Sequence, residues 1–81
     1  MKHRCTPATD LDELIGREGS DGFQYGPLAL AMKRGDQLVL EESDQLSWLT
    51  VAKIQALLSG LFIVETAESI QTSPRFSLLM L

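Results

Sequence analysis

The sequence predicts an α/β fold, and three observations carry that prediction. A well-punctuated helix signature at residues 27–35 is followed at once by a continuous apolar triplet, Leu38-Val39-Leu40, set between Asp36-Gln37 and Glu41-Glu42. Such a triplet reads as a short strand buried on both faces. A stretch without proline or glycine, Leu46 to Ser59, then leads into segments of strand character at residues 62–65, 69–72 and 75–81. Helix and strand signals alternating in this way point to a sheet with helices packed on it.

The 81 residues allow one small domain, residues 1–81, with a loop-rich part at 1–26 and a helix–strand–helix–hairpin–strand part at 27–81. In the first part Leu11, Leu14 and Ile15 can anchor a short helical turn. The glycines and acids that follow predict a long, mobile loop, and Phe23 and Tyr25, alternating around Gln24, predict a brief strand. The next helix has clear ends. Pro27 suits a first helical position, Lys33 and Arg34 favour the negative end of the dipole, and Gly35 can take the left-handed stop.

A second helix is predicted over Leu46 to Ser59, with Asp44 as its cap. Its apolar residues Leu46, Trp48, Leu49, Val51, Ile54, Leu57 and Leu58 surround most of the helix, so burial on more than one side is expected. Phe62-Ile63-Val64-Glu65 and Ser69-Ile70-Gln71-Thr72 flank Thr66-Ala67-Glu68, the spacing of a hairpin with a three-residue loop. After Pro74, residues 75–81 read as a last strand; its Met and Leu residues, like Trp48, read as core.

Composition excludes several classes. Apolar residues make up 44% and charged residues 22%, so the chain is expected to fold. Eleven acidic against seven basic residues give a net charge of −4, which argues against a nucleic-acid surface. The most apolar run, Ala56 to Val64, is interrupted by Ser59 and Gly60 and falls far short of the roughly 18 residues of a membrane span. No signal-peptide pattern follows Lys2 and Arg4, so no membrane association and a cytoplasmic location are expected. The single cysteine, Cys5, has no internal disulfide partner, and only the isolated His3 lies near it.

The sharpest chemical signal is the pair Glu41-Glu42, with Ser43-Asp44 behind it, at the end of the apolar triplet. Carboxylates at the carboxyl end of a strand in an α/β sheet can hold magnesium or polarise a water, and adjacent strand residues point to opposite sides. A solvated acidic turn is the other reading. The glycines between Gly16 and Gly26 form neither G-x-x-x-x-G-K-[ST] nor G-x-G-x-x-G, so they read as a loop. His3 and Cys5 lack an orienting third group and read as structural or disordered residues.

The order of segments resembles a known family. Thr9-Asp10-Leu11-Asp12-Glu13-Leu14-Ile15-Gly16, then Gly26-Pro27-Leu28 with Ala31-Met32 and Gly35, then Leu38 to Asp44, is similar to the middle of the AAA+ ATPases of the MoxR and midasin type. Phe62 to Ile70 and Pro74-Arg75-Phe76 look like that clade's hairpin before its sensor strand. The resemblance covers residues 9–81 and implies part of a three-layer P-loop NTPase sheet. It implies that Leu38 to Asp44 is the Walker B strand, with Glu42 as the catalytic glutamate that polarises the attacking water. Glu41 stands where the family usually has a metal-supporting aspartate, and the longer arm alters the magnesium geometry. Ala67 replaces a glycine often found in the hairpin turn.

By the same resemblance, the phosphate loop belongs before residue 1 and the sensor asparagine after Leu81. Mg-ATP is the cofactor of intact relatives, which remodel or mature partner proteins, and tight binding or hydrolysis by this chain alone is not expected. The alternative is a noncatalytic interaction module that dimerises or docks on a full-length ATPase; either way a protein partner or self-association is expected. A metal-dependent hydrolase built on Glu41, Glu42 and Asp44 is disfavoured, because no histidine or further acid cluster completes it.

Overall fold

Three parallel strands form the centre of the structure, a computed structural model that describes residues 1–81. Strand β1 (Lys2–Arg4) and, in chain order, helix α1 (Leu11–Ile15), the hairpin β2 (Gly16–Gly19) and β3 (Gly22–Tyr25), and helix α2 (Pro27–Arg34) precede the central strand β4 (Gln37–Glu41). A 3-10 turn (Ser43–Gln45), helix α3 (Trp48–Leu57), the hairpin β5 (Gly60–Ile63) and β6 (Glu68–Gln71), and strand β7 (Ser77–Met80) complete the chain. The main sheet has the order β1-β4-β7, with Lys2 opposite Val39 and Gln37 opposite Ser77. The molecule is a compact mixed α/β domain of three helices and a parallel sheet.

The apolar triplet behaves as its pattern predicts: Leu38, Val39 and Leu40 are all buried. Leu38 and Leu40 join one core with Leu14 of α1, Leu28, Ala29, Ala31 and Met32 of α2, Ile54 of α3, and Leu61, Ile63 and Ile70 of the second hairpin. Leu78 and Met80 pack on the same side. The alternate residues of the sheet face the other way. There Leu79 is 43% and Leu81 63% exposed, while Val39 of the central strand stays buried apart from the main cluster. Helices therefore cover one face only, and the expected three layers are two within this chain.

Helix α2 matches its sequence signals. Pro27 opens it, and Gly35 closes it at φ 76°, its N–H donating to Ala31 O at 2.9 Å. A side chain at Gly35 would also meet Ser73 Oγ. At the other end, the Cα of Gly26 lies against the Glu13 and Leu14 carbonyls, where a Cβ would collide with backbone. That contact sets how closely α1 and α2 approach.

Four expectations are corrected. The brief strand expected at Phe23–Tyr25 is present as β3, but the glycine-rich stretch before it is not a loop: it is β2, which completes a hairpin with Gly16 opposite Tyr25 and Gly19 opposite Gly22. Helix α3 starts at Trp48 and not Leu46, because the 3-10 turn uses Ser43–Gln45 and the Ser47 side chain, not Asp44, caps it by accepting from Thr50 N at 3.1 Å. Burial of α3 on several sides is not found: Ile54 alone is fully buried, while Trp48 is 80% exposed and cannot be core. The second hairpin is shifted, since Ile63 pairs with Glu68 across a four-residue loop, Val64 to Ala67. Ala67 sits there at φ 54°, the backbone state for which glycine is the natural choice.

Candidate functional site

The acidic turn lies at the carboxyl end of the central strand. Cys5 N donates to Glu41 O at 2.8 Å from one side, and Leu81 N donates to Leu40 O at 3.0 Å from the other. Ser43 then fastens the turn to β7, its N–H and its Oγ each donating to Leu81 O at 2.8 Å. Glu41 ends β4 half-buried, and its carboxylate has no hydrogen-bond or ion partner.

Glu42 departs from the expected geometry. It is not a strand residue pointing opposite to Glu41; it occupies a left-handed conformation at φ 55°, ψ 44° that turns the chain into the 3-10 segment. Its carboxylate faces Arg4, Nε to Oε2 3.7 Å, across an exposed pair that contributes little to stability. Asp44 is exposed on the same turn, without an ion partner.

The turn thus presents one unpaired, half-buried carboxylate, Glu41, and one that faces Arg4, Glu42. Neither surface hollow reaches them: one lies between α1 and the first hairpin, at Asp12, Arg17 and Gln24, and the other between α1 and α3, at Asp10, Leu49 and Lys53. The acidic turn is an open surface. Its carboxylates are presented at the surface.

The pair His3 and Cys5 lies in and just after β1, an element that residues 2–4 do not announce. The structure does bring a third group: His3 Nε2 lies 2.8 Å from Glu13 Oε2 of α1. Cys5, however, is 1% exposed. Burial pushes its thiol pKa up, and the Glu13 and Glu42 carboxylates push it further, so the thiolate that a nucleophile needs is disfavoured. His3 and Glu13 tie β1 to α1.

A second polar cluster has no counterpart in the sequence reading. Tyr25 Oη donates to Glu68 Oε1, Lys33 Nζ donates to Glu68 Oε2 at 2.9 Å, and the same ammonium lies 4.3 Å from the centre of the Tyr25 ring. The Tyr25 hydroxyl, then the Lys33 ammonium, hold the Glu68 carboxyl below its ordinary range. The Glu68 carboxylate in turn holds the Lys33 pKa above the ordinary lysine range. The three side chains form a clasp joining β3, α2 and β6. No local pattern signals it, because the partners are 35 and 43 residues apart in sequence.

No helix of the chain is long and apolar enough to cross a membrane. No protein-family model matches the sequence, and no curated protein matches it significantly.

Proposed function

We propose that the chain is part of a nucleotide-binding module like that of the MoxR-type AAA+ ATPases, in which Glu41 supports magnesium and Glu42 polarises the attacking water. The observation that carries this reading is the placement of Glu42. A glutamate holds a left-handed turn position, where glycine would cost less, at the carboxyl end of the central parallel strand and directly after an unpaired glutamate. Ligands of open α/β sheets bind at that end, and backbone strain collects at working sites. The parallel order β1-β4-β7 and the uncovered sheet face also support it, since parallel sheets are covered on both faces when complete.

On this reading the chain lacks the phosphate cradle on which phosphoryl transfer depends, and intact relatives supply it together with Mg-ATP. Calorimetric titration of Mg-ATP into the purified chain is expected to show no binding. Saturable micromolar binding that Glu41→Ala removes would overturn the claim that the site is incomplete. Coding sequence adjoining the gene tests the family assignment itself: G-x-x-x-x-G-K-[ST] upstream and a sensor asparagine downstream are expected, and finding neither favours the second reading. That reading, a noncatalytic protein-interaction module, is favoured by the exposed side chains of Trp48, Leu49, Phe62 and Val64.

A further inference from the structure

We propose that β7 is a self-recognition edge, at which two copies of this chain join their sheets antiparallel about a two-fold axis through Leu79. The two edges of the main sheet differ in kind. Strand β1 carries Lys2 and Arg4, charges of the sort that keep an edge from pairing. Strand β7 reads Ser77-Leu78-Leu79-Met80 and continues into Leu81, with no charge, proline or bulge along it. Its inner side is fully used by β4. Ser77 N donates to Asp36 O and Leu81 N to Leu40 O, and the alternation of a parallel ladder leaves the N–H and C=O of Leu78 and Met80 directed outward.

That spacing is self-complementary. Setting Leu79 opposite Leu79 of a second copy pairs Leu78 with Met80 twice, and each pair exchanges two backbone hydrogen bonds. The two Leu79 residues form the close, non-hydrogen-bonded pair at the axis, on the face where this residue is 43% exposed. Ser77 of each copy then lies opposite Leu81 of the other, so the exposed leucines of both copies form one stripe across the seam.

Charge agrees with the antiparallel sense. Arg75 precedes β7, exposed and without an ion partner, while the acidic turn with Glu42 and Asp44 is tied to the far end of the strand through Ser43 and Leu81. The pairing brings Arg75 of each copy alongside the acidic turn of the other, and a parallel pairing would not. A strand of four residues buries less than a standard interface of ~1,600 Å², so the dimer is concentration-dependent.

Sedimentation equilibrium at increasing concentration tests the proposal. The expected result is passage from 9.0 kDa to twice that mass and no further. Leu79→Lys, which sets two ammonium groups face to face, is expected to hold the chain at 9.0 kDa with an unchanged circular dichroism spectrum. Arg75→Asp weakens association about tenfold or more, and adding Asp44→Arg restores it. If Leu79→Lys fails to fold, Leu79→Cys decides: it is expected to give a disulfide-linked dimer under mild oxidation, while Leu78→Cys, facing the core, is not. A chain that stays at 9.0 kDa, a larger assembly, or a dimer in which Leu79→Cys does not cross-link overturns the proposal. The Mg-ATP titration tests the nucleotide reading separately.

Discussion

Glu42 and Ala67 hold left-handed backbone at φ 55° and 54°, the two non-glycine residues of the chain that do so. An L side chain there costs roughly 1–2 kcal/mol, part of which glycine returns through its freer unfolded state. Ala67→Gly is therefore expected to stabilise the fold by about 0.5–1 kcal/mol, seen as a higher urea midpoint at unchanged slope. Glu42→Gly should gain by a similar amount while removing the carboxylate that the proposed chemistry needs, the trade expected when strain serves a site. A lower midpoint for both variants would show that these turns are not strained. At this scale the acidic pair was legible as a local departure in composition, and Ala67 stood out only against the glycine that the family resemblance implies for that turn. The turn at Glu42 was not legible, since a run of acids after a strand carries no mark of backbone handedness. The partnerships of His3 with Glu13 and of Tyr25 with Glu68 were hidden for another reason: they are made by packing between elements.

The elements differ in how much of each is decided locally. Helix α2 is set by its own ends, Pro27 and Gly35, and by four buried residues on one face, so its boundaries could be read directly. At the start of α3 Asp44 is taken up in the 3-10 turn, whose Ser43 N–H donates to Leu81 O, and Ser47 caps the helix instead. Strand β1 was missed because Lys2-His3-Arg4 has no strand character of its own and is held by its ladder to β4. In the first hairpin the alternation at Phe23 and Tyr25 announces β3, whereas the glycines and acids of β2 match the composition of a loop and hide its partner strand. Helix α3 has one fully buried residue, Ile54, with Val51 and Leu57 packed partly buried beside it. Ile54→Ala is expected to destabilise the protein by about 3 kcal/mol in urea unfolding, within the range for large-to-small changes in a core. The emission of Trp48, already in solvent, should change little on unfolding. A loss under about 1 kcal/mol would mean that α3 is held by its partly buried residues instead.

For the whole molecule the margin is narrow, since 81 residues give about 4–12 kcal/mol of total stability and only 15 of them are buried. The clasp of Tyr25, Lys33 and Glu68 therefore matters beyond its size, because it ties the two hairpins to α2. Glu68 has a lowered pKa, so its contribution is complete above the ordinary carboxylate range and is lost as pH falls through the depressed value. Lys33 has a raised pKa, so its contribution is complete below the ordinary lysine range and is lost as pH rises through the raised value. Both side chains are about one-third exposed, which weakens the effect by solvent screening. The difference in Tm between wild type and Glu68→Gln is expected to be constant from about pH 6 to about pH 9 and to shrink below about pH 4. A difference that persists unchanged in acid would show that the clasp does not stabilise the fold. The parallel order of the main sheet also sets a sequence of events. Lys2 must find Val39, and Gln37 must find Ser77, over loops of nearly equal length, so chain entropy favours neither closure. Apolar content then favours one order: Leu38-Val39-Leu40 is expected to meet Leu78-Leu79-Met80 first, and the charged Lys2-His3-Arg4 to dock last. Amide hydrogens of β1 should accordingly exchange well before those of β4 that face β7, so the protein opens at the start of its sequence while its centre stays closed.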